Sequence, residues 1–269
     1  MIETDDRNHS RDTSTMINQI DLDHVALGFE DRTPGQQRYA GELGGEWAGG
    51  GADAGFWSEQ VRFANGMKVE LLEPLNVDEN DFLRRFLDRN GPGPHHVTFK
   101  VKDIRAALEQ TEAAGYRPVS VNLESEHWKE AFLHPKDAPG VVVQLAQSSE
   151  SGDWGIPTPD GYPTPQGPVA TLDRVVHAVA TLDVGLRLFA DLLAGETVDK
   201  GEDADGRWVE LRWPGPGRIR LVEPTSPASP LAAWIGDRQG RVHHLHFSGT
   251  GRSETIEPDA NNGVRLVLA

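Results

Sequence analysis

The stretch Asp23-His24-Val25-Ala26-Leu27-Gly28-Phe29-Glu30-Asp31 is echoed later in the chain by His95-His96-Val97-Thr98-Phe99-Lys100-Val101-Lys102-Asp103. Each reads His-Val, then alternates apolar and small or polar residues as a half-buried strand does. Each ends on an Asp seven positions after the second-position His, where an N-cap for a following helix belongs. The helices are expected over Gly35 to Leu43 and Ile104 to Ala114, with Gly44 and Gly115 in the C-terminal cap positions. Alternating stretches follow at Phe56 to Phe63 and Lys68 to Leu72, then at Glu130 to Leu133 and Val141 to Ala146. The order strand, helix, strands therefore occurs twice within the first half of the chain.

The second half repeats the first. Leu172-Asp173-Arg174-Val175 matches Leu22-Asp23-His24-Val25, and Leu193-Ala194-Gly195-Glu196 matches Leu43-Gly44-Gly45-Glu46. Ile219-Arg220-Leu221-Val222-Glu223-Pro224 matches Val69-Glu70-Leu71-Leu72-Glu73-Pro74, and His243-His244-Leu245-His246-Phe247 matches His95-His96-Val97-Thr98-Phe99. The last unit is short, and a helix and a strand are expected to be missing from it. Between the halves, Ser148 to Pro168 is rich in Pro, Gly and Ser without periodicity. The expected organisation is a flexible tail over 1–19, a metal-binding domain over 20–147, a linker over 148–168 and a degenerate, truncated domain over 169–269. The fold class is α+β: tandem βαβββ modules forming curved mixed sheets.

Four polar residues stand on four of the expected strands: His24, Glu70, His96 and Gln144. In each strand apolar residues stand at the alternate positions (Val25 and Leu27, Val69 and Leu71, Val97 and Phe99, Val143 and Leu145), so alternation turns the four polar side chains to the opposite face. Two imidazoles, a carboxylate and an amide oxygen suit one divalent ion such as Zn, Ni, Co, Mn or Fe(II). Glu70 is the candidate base as well as a ligand. Gln60 and Arg62 point to the same concavity and are candidate substrate contacts, while alternation puts Glu59 on the other face. His95 is expected to face away from His96 as a structural residue. The chain has no cysteine, so thiolate ligands and disulfides are excluded.

These motifs resemble the vicinal-oxygen-chelate superfamily, which includes glyoxalase I, methylmalonyl-CoA epimerase, extradiol dioxygenases and bleomycin-type resistance proteins. Asp23-His24-Val25-Ala26, Val69-Glu70-Leu71-Leu72-Glu73-Pro74-Leu75, Gly93-Pro94-His95-His96-Val97, Phe132-Leu133-His134-Pro135-Lys136 and Gly140-Val141-Val142-Val143-Gln144-Leu145 are most similar to the epimerase branch. The resemblance runs from about Ile20 to Gln147, and more weakly from Val169 onward. It implies a glyoxalase-like fold and a metal held in a concave sheet. It also implies pairing of modules, either within the chain as a monomeric pseudo-dimer or in a homodimer. The chain departs from the epimerase pattern by carrying Glu at 70 and Gln at 144 where that family has Gln and Glu. Gln144 has no useful pKa and cannot be a base.

Three functions are compatible with these residues. One is a metal-dependent glyoxalase-like lyase or isomerase acting on a small carbonyl or enolisable substrate. The others are an Fe(II) extradiol-type dioxygenase on the same scaffold and a non-catalytic binder of a drug or metabolite. The net charge of −16 repels phosphate backbones and argues against nucleic acid as a partner. No apolar run is long enough to cross a bilayer and Met1 to Thr15 is polar, so no membrane partner and a cytoplasmic location are expected. Gly44 to Gly55 is glycine-rich but lacks the Lys-Ser/Thr of a phosphate loop, so no nucleotide cofactor is expected; the stretch reads as a flap or plain connection. Helices are expected over Glu79 to Arg89 and Pro230 to Gly236. His134 is expected to begin a turn and Lys136 to be solvated. In the second half the four positions become Arg174, Arg220, His244 and Val267, and the two arginines cannot ligate a metal. That half is expected to keep the fold and cover surface, the alternative being an anion pocket of Arg174, Arg220, His244 and His246.

Overall fold

The computed structural model describes residues 16–148 and 156–269. The first module runs β1 (Ile20–Gly28), α1 (Thr33–Gln36) continued by a π-helical turn (Gln37–Glu42), β2 (Glu46–Asp53), β3 (Phe56–Arg62) and β4 (Lys68–Pro74). It goes on through α2 (Phe82–Asn90), β5 (Gly93–Val101), α3 (Ile104–Ala113), β6 (Pro118–Asn122), β7 (Trp128–Leu133) and β8 (Val142–Ser148). These eight strands form one sheet in the order β2-β3-β4-β1-β5-β8-β7-β6. β1 and β5, the first strands of the two βαβββ units, lie side by side and antiparallel at its centre. Each is flanked outward by a parallel partner, β4 and β8.

The second half repeats this with β9 (Thr171–Val179), α4 (Leu182–Leu186) and its π-helical turn (Arg187–Leu192), β10 (Glu196–Glu202), β11 (Arg207–Arg212), β12 (Arg218–Glu223), α5 (Pro230–Ile235), β13 (Gly240–Ser248), β14 (Glu254–Ile256) and β15 (Leu266–Leu268). The seven strands order as β10-β11-β12-β9-β13-β15-β14. Where the first half has α3, β6, β7 and β8, the second has β14, a 3-10 turn at Pro258–Ala260 and β15. A helix and one strand are absent there among the described residues. No helix among the described residues is long and apolar enough to cross a membrane.

Local chemistry explains the helix starts. The Asp103 carboxylate accepts from the Arg105 and Ala106 N–H groups and caps α3. Thr181 does the same for α4 through Val184. Asp31 accepts from the Thr33 N–H, with Pro34 in the first turn of α1. The glycine-rich stretch expected as a flap or plain connection instead forms the edge strand β2, paired along β3 from Glu46↔Arg62 to Asp53↔Phe56. Its glycines make room rather than flexibility: a Cβ on Gly50 would stand 2.8 Å from the Trp47 ring.

Val25, Leu27, Val69, Leu71, Val97, Phe99, Val143 and Leu145 are all buried, as the alternation requires. They join a single apolar core with Val175, Phe189, Trp213, Leu245 and Phe247 of the second module. Phe99 packs on Trp213 with ring centroids 5.1 Å apart, and Phe63 on Phe247 at 4.9 Å. The two modules thus close each other's apolar faces within one chain, as the subunits of a dimer would. Within the stretch expected as a tail, Ile17 is buried and its N–H donates to the Leu192 carbonyl at 2.8 Å, so this part packs. Residues 1–15 lie outside the described residues. Of the expected linker, residues 149–155 likewise lie outside; beyond them the Ile156 carbonyl accepts from the Trp47 indole and Tyr162 stacks on that ring.

The seam between modules is tied by backbone contact. His177 Nε2 donates to the Pro139 carbonyl at 2.7 Å. Gly140, at φ +74°, lies so close to Gly240 that a Cβ would sit 1.7 Å from the Gly240 oxygen. A Gly140→Ala change combines a left-handed backbone with a clash against main chain, and is expected to cost about 3 kcal/mol of stability. Urea unfolding measures this, and an unchanged midpoint would show that the seam is not packed as described.

Candidate metal centre

His24 on β1, Glu70 on β4 and His96 on β5 reach the concave face from three strands. The central pairing Ala26↔His96 and the parallel register Ala26↔Glu70 bring them abreast. One ligand atom from each lies within 4.8 Å of the others. Glu70 Oε2 stands 3.4 Å from His24 Nε2 and 3.6 Å from His96 Nε2. These separations exceed a good N–H···O bond. They match the edges of a tetrahedral shell with bonds of about 2.0–2.2 Å, which are about 3.3–3.6 Å. Both Nε2 atoms are buried without a hydrogen-bond partner among the described residues. Orphaned, converging imidazole nitrogens beside a carboxylate are the donor set a divalent ion takes.

The second layer of contacts is set by two β-bulges. The β1–β5 register skips Asp23 between Leu22 and His24, and skips His95 between Pro94 and His96. A bulge turns the extra residue out of alternation. Asp23 Oδ2 then accepts from His24 Nδ1 at 2.7 Å, and Lys68 holds the same oxygen at 2.8 Å. His95, expected on the opposite face, instead meets His96 Nδ1 through its own Nδ1 at 2.7 Å and stacks on Phe82 and Phe86 of α2. Burial pushes His95 down to about 4, so it is neutral and can accept from His96 Nδ1–H. The hydrogen-bonding network thereby assigns the tautomer that leaves a lone pair on Nε2 of each cluster histidine, the carboxylate–histidine–metal arrangement with one carboxylate exchanged for an imidazole.

The charges follow from these contacts. Burial opposes charge on His24, but Glu70 and Asp23 outweigh it and raise its pKa. Burial, then the neighbouring His95 and His24, push His96 far below the usual imidazole range. Burial alone would raise Asp23, yet the His24 hydrogen bond and the Lys68 charge hold it well below ordinary carboxylates.

The other sequence candidates divide. Gln60 joins the cluster, donating to Glu70 Oε1 at 3.4 Å. Arg62 lies at the rim, about half exposed, 3.7 Å from Glu46. Glu59 faces α1, where Arg32 and Gln36 hold it. Gln144 is buried on the concave face, but its amide is already engaged. Oε1 accepts from Thr98 Oγ1 at 2.6 Å and Nε2 donates to Glu130 Oε2 at 2.7 Å. His134 begins a turn, accepting from Asp137 and Ala138.

Glu130 and Lys100 were not picked out by sequence. Glu130, on β7, also accepts from the Trp128 indole at 2.8 Å. Burial raises its pKa against those two hydrogen bonds, and the charges of Asp53 and Glu70 add to the rise. Lys100 lies 4.0 Å over the Trp128 ring. Burial pulls it down to about 8, against the attraction of Asp23.

The second module has the same bulges at Asp173 and His243, but different chemistry. Arg174 and Arg220 stand where His24 and Glu70 stand in the first, and both donate to Glu210 Oε2 at 2.8 Å. The Arg265 guanidinium bonds His243 Nε2, so the His243 Nδ1–H donates to His244 Nδ1. That polarity leaves hydrogen on His244 Nε2, the reverse of His96. The residues here do not fit a metal.

Known proteins share the fold. The family model of the Glyoxalase/Bleomycin resistance protein/Dioxygenase superfamily matches residues 23–132. Over 132 residues the chain is 35% identical to ethylmalonyl-CoA/methylmalonyl-CoA epimerase of Cereibacter sphaeroides, covering 47% of this chain and 96% of that protein. Over 141 residues it is 32% identical to mitochondrial methylmalonyl-CoA epimerase of Homo sapiens, covering 51% and 78%. A mutant of 4-hydroxymandelate synthase from Streptomyces coelicolor superposes with a TM-score of 0.59 over 88% of this chain and 72% of its own, at 14% identity, and so shares the tandem fold. The chain belongs to the glyoxalase/bleomycin resistance/dioxygenase superfamily. Within it, the first half is a homologue of the methylmalonyl-CoA epimerases.

Proposed function

We propose that the first module is a divalent-metal-dependent isomerase that moves a proton on the carbon beside a substrate carbonyl, with His24, His96 and Glu70 as ligands and Glu130 as the proton-transfer group. The observation that carries this reading is a second carboxyl on the same concave face, held by the Gln144 amide and the Trp128 indole and raised in pKa by burial. A bound ion would supply Lewis-acid polarisation of the substrate oxygen. Glu70 is committed to the two imidazoles and Gln60, which leaves Glu130 to exchange a proton. Gln144 positions Glu130 and is not needed as a ligand. The curated relatives act on malonyl-type thioesters by name, which makes methylmalonyl-CoA and ethylmalonyl-CoA the first substrates to offer.

The test is solvent exchange in deuterium oxide, followed by NMR at the carbon between the two carbonyls. Metal-dependent deuterium incorporation faster than a protein-free blank is expected. Exchange at the blank rate with Zn, Ni, Co, Mn and anaerobic Fe(II) in turn would reject a malonyl-thioester isomerase. The two-histidine, one-carboxylate set also fits an Fe(II) oxygenase. Oxygen uptake with catechol-type substrates by the Fe(II)-loaded protein would mark that second reading.

A further inference from the structure

We propose that the seam between the modules holds a binding site for a phosphate-bearing anion, separate from the metal centre. A cavity of about 450 Å³ opens there, lined by Lys136 from the turn before β8 and by Arg238 and Arg241 around the start of β13. That volume is in the range of small-ligand sites. His24, Glu70, His96 and Gln144 do not line it; His95, which backs His96, does.

The chain carries a net charge of −16, yet this cavity gathers three basic side chains against one lining carboxylate, Asp237. Arg238 donates to the Asn90 amide oxygen at 3.3 Å, and Arg241 lies 4.0 Å over the Trp234 ring. Neither of these contacts neutralises a guanidinium. Burial, and then the charge of nearby Arg238, disfavour charge on Arg241. Like charges held together around a cavity are the electrostatic counterpart of a multivalent anion. A net lining charge of about two balances a phosphate dianion better than a single carboxylate.

The walls are preformed. On one side Gly140 abuts Gly240; on the other a Cβ on Gly263 would sit 1.8 Å from the Pro92 oxygen. Binding there costs little ordering of backbone. Phe86, Pro94, Pro135, Val141 and Val142 supply an apolar side that an organic remainder of a phosphate ester can cover. The second module is necessary to this site, because both arginines belong to it. The inference does not depend on the metal or on the isomerase reading.

The test is isothermal titration of the whole chain at constant ionic strength with inorganic phosphate, and separately with coenzyme A. The comparison is a Lys136→Ala/Arg238→Ala variant, whose two side chains are exposed and whose fold is checked by its unfolding midpoint. Saturable phosphate binding, weakened at least tenfold in the variant, is expected. Coenzyme A binding that phosphate competes away and the variant loses would identify an ester as the source of the anion. Phosphate binding that coenzyme A does not displace would identify the free ion. Absence of saturable binding of both by the parent, or equal affinity in parent and variant, would overturn the proposal.

Discussion

A Glu130→Gln variant is expected to lose about 10²–10⁴-fold in turnover while retaining its metal, the range for removing a positioned acid–base group. The amide keeps the size of the side chain and can still contact the Trp128 indole, so the variant should fold. What it loses is the proton-exchanging oxygen. In the parent, the acidic limb of the pH–rate profile should lie above that of an ordinary glutamate. Burial raises the Glu130 pKa, so the protonated form persists to higher pH and the base form appears later. In Glu130→Gln that limb should disappear from the residual rate. Elemental analysis separates this role from ligation: metal content near the parent's with lost turnover assigns Glu130 to chemistry. Turnover near the parent's with metal bound would return the proton transfer to another group.

The cluster histidines and Glu70 were legible because strand alternation is a local property. Glu70 stands between Val69 and Leu71, and Val25, Leu27, Val97 and Phe99 alternate away from His24 and His96, so each face is decided within a few residues. The residues that hold and complement them were less legible, for two physical reasons. Asp23 and His95 sit at bulges, where one extra residue reverses the face that alternation assigns. The signal that could have found them is the doublet itself: Asp-His and His-His recur as Asp173-Arg174 and His243-His244 in the second module, at the same bulged positions. Glu130 was read as the first residue of a strand. Its place beside the site comes from the β7–β8 pairing Phe132↔Gln144, which no local pattern specifies.

The glycine-rich β2 shows the limit of composition as a guide. Gly49, Gly50 and Gly51 carry no side chain for periodicity to register, and their composition reads as a loop. The sheet edge nevertheless forms, because β3 offers a full row of backbone partners and the missing side chains admit the Trp47 ring. In the second module the corresponding strand, Glu196–Glu202, is exposed along its whole length. Edge strands are held by their ladders more than by burial, so burial patterns mark them poorly.

A His24→Ala/His96→Ala double variant is expected to lose metal altogether, against about one equivalent of a divalent ion in the parent after loading. Each imidazole Nε2 is buried and lacks a hydrogen-bond partner among the described residues, so in the metal-free state both donors pay for desolvation without return. The parent should therefore gain stability on loading, by about 4 kcal/mol when the free ion stands at a thousand times its Kd. The double variant should gain none and, metal-free, should unfold at a midpoint close to the metal-free parent, because removing orphaned polar atoms offsets part of the lost packing. Thermal unfolding with and without each ion, beside elemental analysis, reads both effects. Equal stabilisation of parent and variant by the same ion would place the binding elsewhere, and Glu70, which faces both imidazoles, would then lose its assignment as the third ligand.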